Sequence, residues 1–218
     1  MSEMIKLPVA LFMVCIVSGI VIVFTHLSTA EQIEAQKLHE QRTALEQMFP
    51  PGTRILDTTG TAPFPSRYWI GRNDTSIAGF AFPVESLGYS GVIRYIVAID
   101  PQGRIMGMKI LSQSETPGLG ARMEEPVSGK SLWNFYKPLH NDPRPWFTEQ
   151  FKGTSVSKPF SIFTTAEWHI LTDAEKKERA ENNTISAITG ATVTAKAVVA
   201  GLEKTPSACY AAIQGAHK

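Results

Sequence analysis

Val92-Ile93-Arg94-Tyr95-Ile96-Val97-Ala98-Ile99-Asp100, then Pro101-Gln102-Gly103, then Arg104-Ile105-Met106-Gly107-Met108-Lys109-Ile110-Leu111 is the stretch on which the fold reading turns. Two apolar runs rich in β-branched residues flank a Pro-Gln-Gly turn signal, which is the pattern of a strand, a tight turn and a second strand. On the N-terminal side, residues 67–72 and 77–84 repeat the strand pattern, with turn signals at Asn73-Asp74 and from Gly88 to Gly91. The region from about residue 52 to 111 therefore predicts an antiparallel meander. On the C-terminal side, Trp133, Phe135, Tyr136, Trp146, Phe147 and Phe151 supply large apolar side chains, expected as a covering layer on the core. Residues 173–183 are polar and read as a solvated helix or loop, so the class expected is α+β.

Further along, Ser186-Ala187-Ile188-Thr189-Gly190-Ala191-Thr192-Val193-Thr194 contains a Gly turn. After it, Ala197, Val198 and Leu202 fall on one helical face, which places Thr192 at or near a helix N-terminus. Unpaired N–H groups in a first helical turn and the positive end of the helix dipole favour a phosphate there. On local physics alone, the commonplace reading is a Thr N-cap after a Gly turn. Pro206 should interrupt the helix and leave 208–214 as a last short one.

The second motif is Glu115-Thr116-Pro117-Gly118-Leu119-Gly120, where a rigid Pro-Gly turn is followed by another Gly that leaves the backbone open to close approach. By itself it is a tight loop. The pair E-T-P-G-L-G and, further on, T-G-A-T resembles the FMN-binding domain family. Gly88-Tyr89-Ser90-Gly91, the strand-turn-strand from 92 to 111 and Gln150-Phe151-Lys152-Gly153 extend the likeness over most of the chain beyond its N-terminal helix. Ser186 departs from the family pattern, in which that position is often acidic, and Thr189 stands where Ser is usual.

The resemblance implies FMN esterified through its phosphate to Thr192, installed from FAD by a separate flavin transferase. It further implies contacts from Glu115, Thr116, Gly118 and Leu119 to the ring or its ribityl chain. Thr189, Gly190, Ala191 and Thr194 are expected around the phosphate, and Lys152 beside a reduced flavin. A threonine hydroxyl does no redox chemistry itself; the prosthetic group carries it. The family further implies an electron-relay component of an Rnf-type ferredoxin:NAD oxidoreductase complex, working with that complex's other membrane subunits and turning over no substrate alone. Two alternatives remain at this point. One is a component resembling the C subunit of the sodium-pumping NADH:quinone oxidoreductases, and the other is a non-redox, membrane-anchored assembly module.

Residues 7–27 form an apolar run without Asp, Glu, Lys or Arg, and as a helix it spans about 30 Å, the thickness of a bilayer's hydrocarbon core. A cleaved secretory signal is the competing reading, with Ser28-Thr29-Ala30 offering small residues for cleavage. The apolar core is longer than a usual signal's, so a retained anchor in the lipid bilayer is expected. Lys6 and the N-terminal amine precede the run, while Glu31 and Glu34 follow it, which favours a cytoplasmic N-terminus and an extracytoplasmic domain in a bacterial or archaeal inner membrane. Residues 28–49 lack Gly and Pro and carry Leu38, Leu45 and Phe49 at helical spacings. The organisation expected is an anchor over 1–27, a juxtamembrane helix over 28–49 and an FMN-binding domain over 50–218.

Charge sets aside other classes. The 21 basic and 20 acidic residues leave a net charge of +1, with no basic stripe for nucleic acid. His26, His39, His140, His169 and His217 show no metal-ligand spacing, so no metal site is expected. Cys15 and Cys209 lie in the apolar run and near the C-terminus, an implausible disulfide. Gly88-Tyr89-Ser90-Gly91-Val92 lacks the final Gly of a nucleophile elbow, and no Gly-rich dinucleotide or nucleotide-phosphate motif appears.

Overall fold

Five strands pair antiparallel in the order β1-β2-β3-β4-β5. They are β1 (Arg54–Thr59), β2 (Arg67–Arg72), β3 (Ile77–Leu87), β4 (Val92–Ile99) and β5 (Ile105–Ser112). The structure is a computed structural model and describes residues 3–73, 76–127, 142–164, 168 and 171–216. The expected meander is present, with one addition: the edge strand β1, whose half-exposed R-I-L-D-T-T sequence alternates too weakly to announce a strand. Pairing with β2, from Arg54 opposite Arg72 to Thr59 opposite Arg67, defines it.

Side chains alternate between the faces of a sheet, and here both faces are covered. Phe82 lies opposite Val97 and Val97 opposite Met108, which puts all three on the face that carries the larger core. Ala81, Ile96 and Ala98 point the other way, against Trp69, Leu45 and Phe49. Burial on two faces explains why β4 reads as an almost unbroken apolar run rather than as alternation. Each large apolar side chain withdrawn from water in this way stabilises the domain by about 1.5–3 kcal/mol.

After β5 the chain makes a short 3-10 turn (Gly120–Glu124), a two-strand pair of β6 (Pro126–Val127) with β7 (Asp142–Pro145), and the single-turn helix α2 (Trp146–Glu149). Trp146, Phe147 and Phe151 are buried in the main core, as the sequence leads one to expect; Trp133, Phe135 and Tyr136 lie outside the described residues. The strand β8 (Ser161–Phe163) pairs in parallel with β9 (Thr184–Ser186), separate from the main sheet. Between them runs α3 (Asp173–Glu181). The polar segment is thus a helix, started by a capping box in which the Thr172 hydroxyl accepts from the Glu175 N–H and the Glu175 carboxyl accepts from the Thr172 N–H.

Two helices close the chain, α4 (Thr192–Lys204) and α5 (Pro206–Ala216). Pro206 interrupts the helical run as expected, and it opens α5 in the first turn, where a missing N–H costs least. Helix α4 lies on the sheet with Ala195, Val198, Val199 and Leu202 buried. The Tyr95 hydroxyl donates to the Val198 carbonyl at 2.7 Å and ties the helix to β4. Burial pushes the Tyr95 phenol far above its ordinary pKa, so it stays a neutral donor.

The N-terminal helix α1 (Glu3–Met48) runs without interruption through both segments that the sequence divides at residue 27. It crosses the boundary between two compact units, residues 1–43 and 44–218. In the first unit, the helix is long and apolar enough to cross a membrane, with mean hydropathy 2.6 over its most apolar window and no burial there. Near the end of the apolar run, the Thr25, Ser28 and Thr29 hydroxyls donate to carbonyls four residues earlier at 2.8 Å, so each is satisfied within the helix. In the second unit, the last turn of α1 supplies Leu45 to the smaller core, and Phe49, just after the helix, joins it.

Candidate functional site

The approach to the T-G-A-T turn is pinned by two buried amides. Gln150 clasps the Ser186 backbone, accepting from its N–H at 2.8 Å and donating to its carbonyl at 3.1 Å. Asn183, at φ 51, donates to the Ser155 and Lys158 carbonyls at 2.6 and 2.9 Å and accepts from the Ser155 N–H at 2.9 Å. The Ser186 hydroxyl is buried and accepts from Arg179 at 2.8 Å. The chain therefore enters the turn from a fixed position. Gly190 then takes φ +79, a conformation that favours glycine, and the Leu119 side chain sits where a Cβ on Gly190 would come within 3.0 Å of it.

Ala191, not Thr192, occupies the N-cap position of α4, and no side chain caps the helix. The first intrahelical bond shown is from the Ala195 N–H to the Ala191 carbonyl at 3.3 Å. The amides of Thr192, Val193 and Thr194 precede it, which leaves the N-terminal donors and the positive end of the dipole for an outside acceptor. The Thr-cap reading thus fails on geometry: Thr192 is the first helical residue, partly exposed, with its hydroxyl free of the capping role.

This open end forms one wall of a cleft of about 470 Å³, within the range of roughly 300–1,000 Å³ usual for small-molecule sites. The opposite wall is the loop from Glu115 to Gly120, and Tyr89 from the β3–β4 hairpin closes one side. Ser90 and Thr116 join the hairpin to the loop through their hydroxyls, 3.2 Å apart. Leu119 and Val193, 44% and 53% exposed, present apolar surface beside Tyr89. The cleft thus pairs a phosphate-favouring corner with an apolar wall, which fits a phosphorylated ligand with a flat aromatic body.

Of the residues singled out from the sequence, Glu115, Thr116, Leu119, Gly190, Ala191, Thr192 and Thr194 line this cleft together. Gly118 and Thr189 do not. Lys152 lies elsewhere, in the turn after α2, with its N–H donating to the Glu149 carbonyl at 3.1 Å. There it lines a separate cleft with Met48, Met106 and Lys109, because α2 packs on β5 away from the start of α4. Glu115 and Thr194 are also differently employed from the expectation. The Thr194 hydroxyl donates to the Glu115 carboxyl instead of facing the phosphate corner, and both side chains are buried. Tyr89, Gly120 and Val193 join the cleft unforeseen as site residues. The aromatic in Gly88-Tyr89-Ser90-Gly91 was the available signal, since an exposed tyrosine on a hairpin tip has little structural reason to be there.

An antiparallel sheet backed by a helix whose uncapped N-terminus opens into a mostly apolar cleft marks a candidate binding domain for a phosphorylated ligand. Comparison with known proteins makes this specific: residues 88–205 match the FMN-binding domain, and the chain belongs to that family. It is 25% identical over 190 residues to the G subunit of the proton-translocating ferredoxin:NAD(+) oxidoreductase complex of Clostridium ljungdahlii, covering 87% of this chain and 83% of that protein. It is 26% identical over 213 residues to the G subunit of the Na(+)-translocating ferredoxin:NAD(+) oxidoreductase complex of Acetobacterium woodii, covering 90% and 87%. Among solved structures, Shewanella oneidensis NqrC superposes with a TM-score of 0.48 at 16% identity, covering 76% of this chain and 71% of that one.

Proposed function

We propose that this protein is an electron-transfer component of an ion-translocating oxidoreductase complex of the ferredoxin:NAD type, carrying FMN esterified to Thr192. The uncapped first turn of α4, with Thr192 opening into the cleft, is the observation that carries this reading. A phosphodiester on Thr192 keeps one negative charge, and the amides of Thr192, Val193 and Thr194 are the donors placed to receive it. The backbone of Gly190 approaches this corner without a side chain in the way. Tyr89, Leu119 and Val193 offer the apolar surface for the ring, and Thr116 a polar contact for the ribityl chain.

When bound, FMN supplies the one-electron chemistry that the side chains of this chain lack. The chain's own part is to hold the group, fix its orientation and tether it. In attachment, the Thr192 hydroxyl oxygen bonds to the FMN phosphorus of FAD as the pyrophosphate bond to AMP breaks. AMP leaves and the hydroxyl proton is released, with no change in oxidation state; a separate flavin transferase catalyses the transfer. The apolar part of α1 anchors the domain, and the charge order around it favours the extracytoplasmic side. The two relatives named above, both G subunits of such complexes, support assembly with other membrane subunits.

The test is co-expression of the full chain with a bacterial flavin transferase. In-gel ultraviolet fluorescence after denaturation, and an intact mass raised by one FMN less one water, are expected for the wild type and absent from Thr192→Ala. An unmodified wild-type mass from that host defeats the proposal and favours the assembly-module reading.

A further inference from the structure

Resting on the attachment reading above, we infer that Glu115 and Thr194 form a positioning pair that turns Thr192 outward to receive its phosphoryl group. The Glu115 side chain is only 5% exposed, and its carboxyl joins three segments distant in sequence. One oxygen accepts from the Ser90 N–H of the β3–β4 hairpin at 2.9 Å. The other accepts from the Thr194 hydroxyl of α4, and the Glu115 N–H donates to the Gln113 side chain at 2.7 Å. Burying a carboxyl group is costly unless donors surround it, and here the two donors to the carboxyl come from the hairpin and from α4.

The surroundings are shaped for this group. A Cβ on Gly88 would collide with one carboxyl oxygen, and a Cβ on Gly120 would fall 2.6 Å from the other and 2.7 Å from the Thr194 hydroxyl. Glycine at both places lets the backbone close around the carboxyl. The consequence for Thr192 follows from helical geometry. Successive side chains in an α-helix are about 100° apart, so residues two apart face nearly opposite ways. With Thr194 turned onto Glu115 at 1% exposure, Thr192 faces away from that contact and stays partly exposed at the cleft that all three residues line, and the first-turn amides are held beside it. The Thr194 hydroxyl and the Glu115 carboxyl bond to each other and are assigned no contact with the reacting atoms; these two side chains act through the orientation of the helix start.

The experiment uses the full chain in detergent micelles with FAD, magnesium and a bacterial flavin transferase, with incorporation followed by intact mass. Thr194→Val and Glu115→Ala are each expected to lower the incorporation rate at saturating acceptor at least tenfold, with little change in the half-saturating acceptor concentration. Thr194→Ser restores the rate to within threefold of wild type. The double variant is no slower than the slower single variant, because both remove one contact. In the unloaded protein, amide exchange over residues 192–195 speeds up in Thr194→Val while the amides of β4 are unchanged. A Thr194→Val protein loaded within twofold of the wild-type rate overturns the inference, as does a double variant whose loss is the product of the single losses. If one single variant fails to fold, the other decides on the same criteria. A wild type that takes up no FMN instead defeats the attachment reading itself, and so the two failures are distinct.

Discussion

Gly120→Ala tests the socket around Glu115 with a single methyl group. The added carbon would lie 2.6 Å from a Glu115 carboxyl oxygen, 2.7 Å from the Thr194 hydroxyl and 2.8 Å from the Glu115 Cβ, all inside ordinary contact distance. Relief is blocked on the far side, where Gly88 already approaches the other carboxyl oxygen and Ser90 holds it. Overpacking of this kind costs about 1–3 kcal/mol, and displacing the carboxyl from a buried donor adds about 1 kcal/mol or more. The sum is about 2–4 kcal/mol, which for a domain of this size lowers Tm by about 4–16 °C. Thermal unfolding of the full chain in detergent, read by tryptophan fluorescence, measures it. Gly215→Ala gives the opposite sign: Gly215 is in α5 with no atom within 4 Å of the added Cβ, so the better helix propensity of alanine should leave Tm unchanged or slightly higher. A Gly120→Ala protein melting within 1 °C of wild type would refute the reasoning.

Two further outcomes are expected. Burial pushes the Cys209 thiol up to about 11, so at pH 8 it stays protonated and resists a thiol reagent until the domain unfolds; prompt labelling of Cys209 in the native protein contradicts this. The Glu175 carboxyl is held below its ordinary value, chiefly by the Thr172 hydroxyl and then by the Thr172 N–H. Its contribution to α3 is therefore complete above the ordinary glutamate range and is lost as pH falls through the depressed value. Amide exchange over 175–180, corrected for intrinsic rate, should quicken across that acid window in wild type and less steeply in Thr172→Ala, which keeps the backbone N–H donor; pH-independent protection in wild type would sink the linkage.

Legibility in the sequence followed the range of the interactions. Strands β2 to β5 were readable because apolar runs and turn residues are local signals, and β1 was not, because only its pairing with β2 defines it. The capping box of α3 was written in Thr172 and Glu175 but sat in a polar segment with no apolar face to mark a helix. The two motifs that line the cleft were visible as strings. Their juxtaposition was not, since the contact between Glu115 and Thr194 spans 79 residues.

By itself, then, the sequence determined the class of fold, the apolar N-terminal helix, the family and the threonine at the head of α4, all of which rest on periodicity, composition and motif. Tertiary structure alone decided which side chains of those motifs face the cleft. It placed an alanine at the cap so that the helix end stays open, turned Thr194 inward onto Glu115, brought Tyr89 to the cleft and left Lys152 beside another one. The physical reason is that a side chain's role depends on where the helix and loop meet in space, and that meeting is set by the packing of α4 on the sheet rather than by any neighbour in the chain.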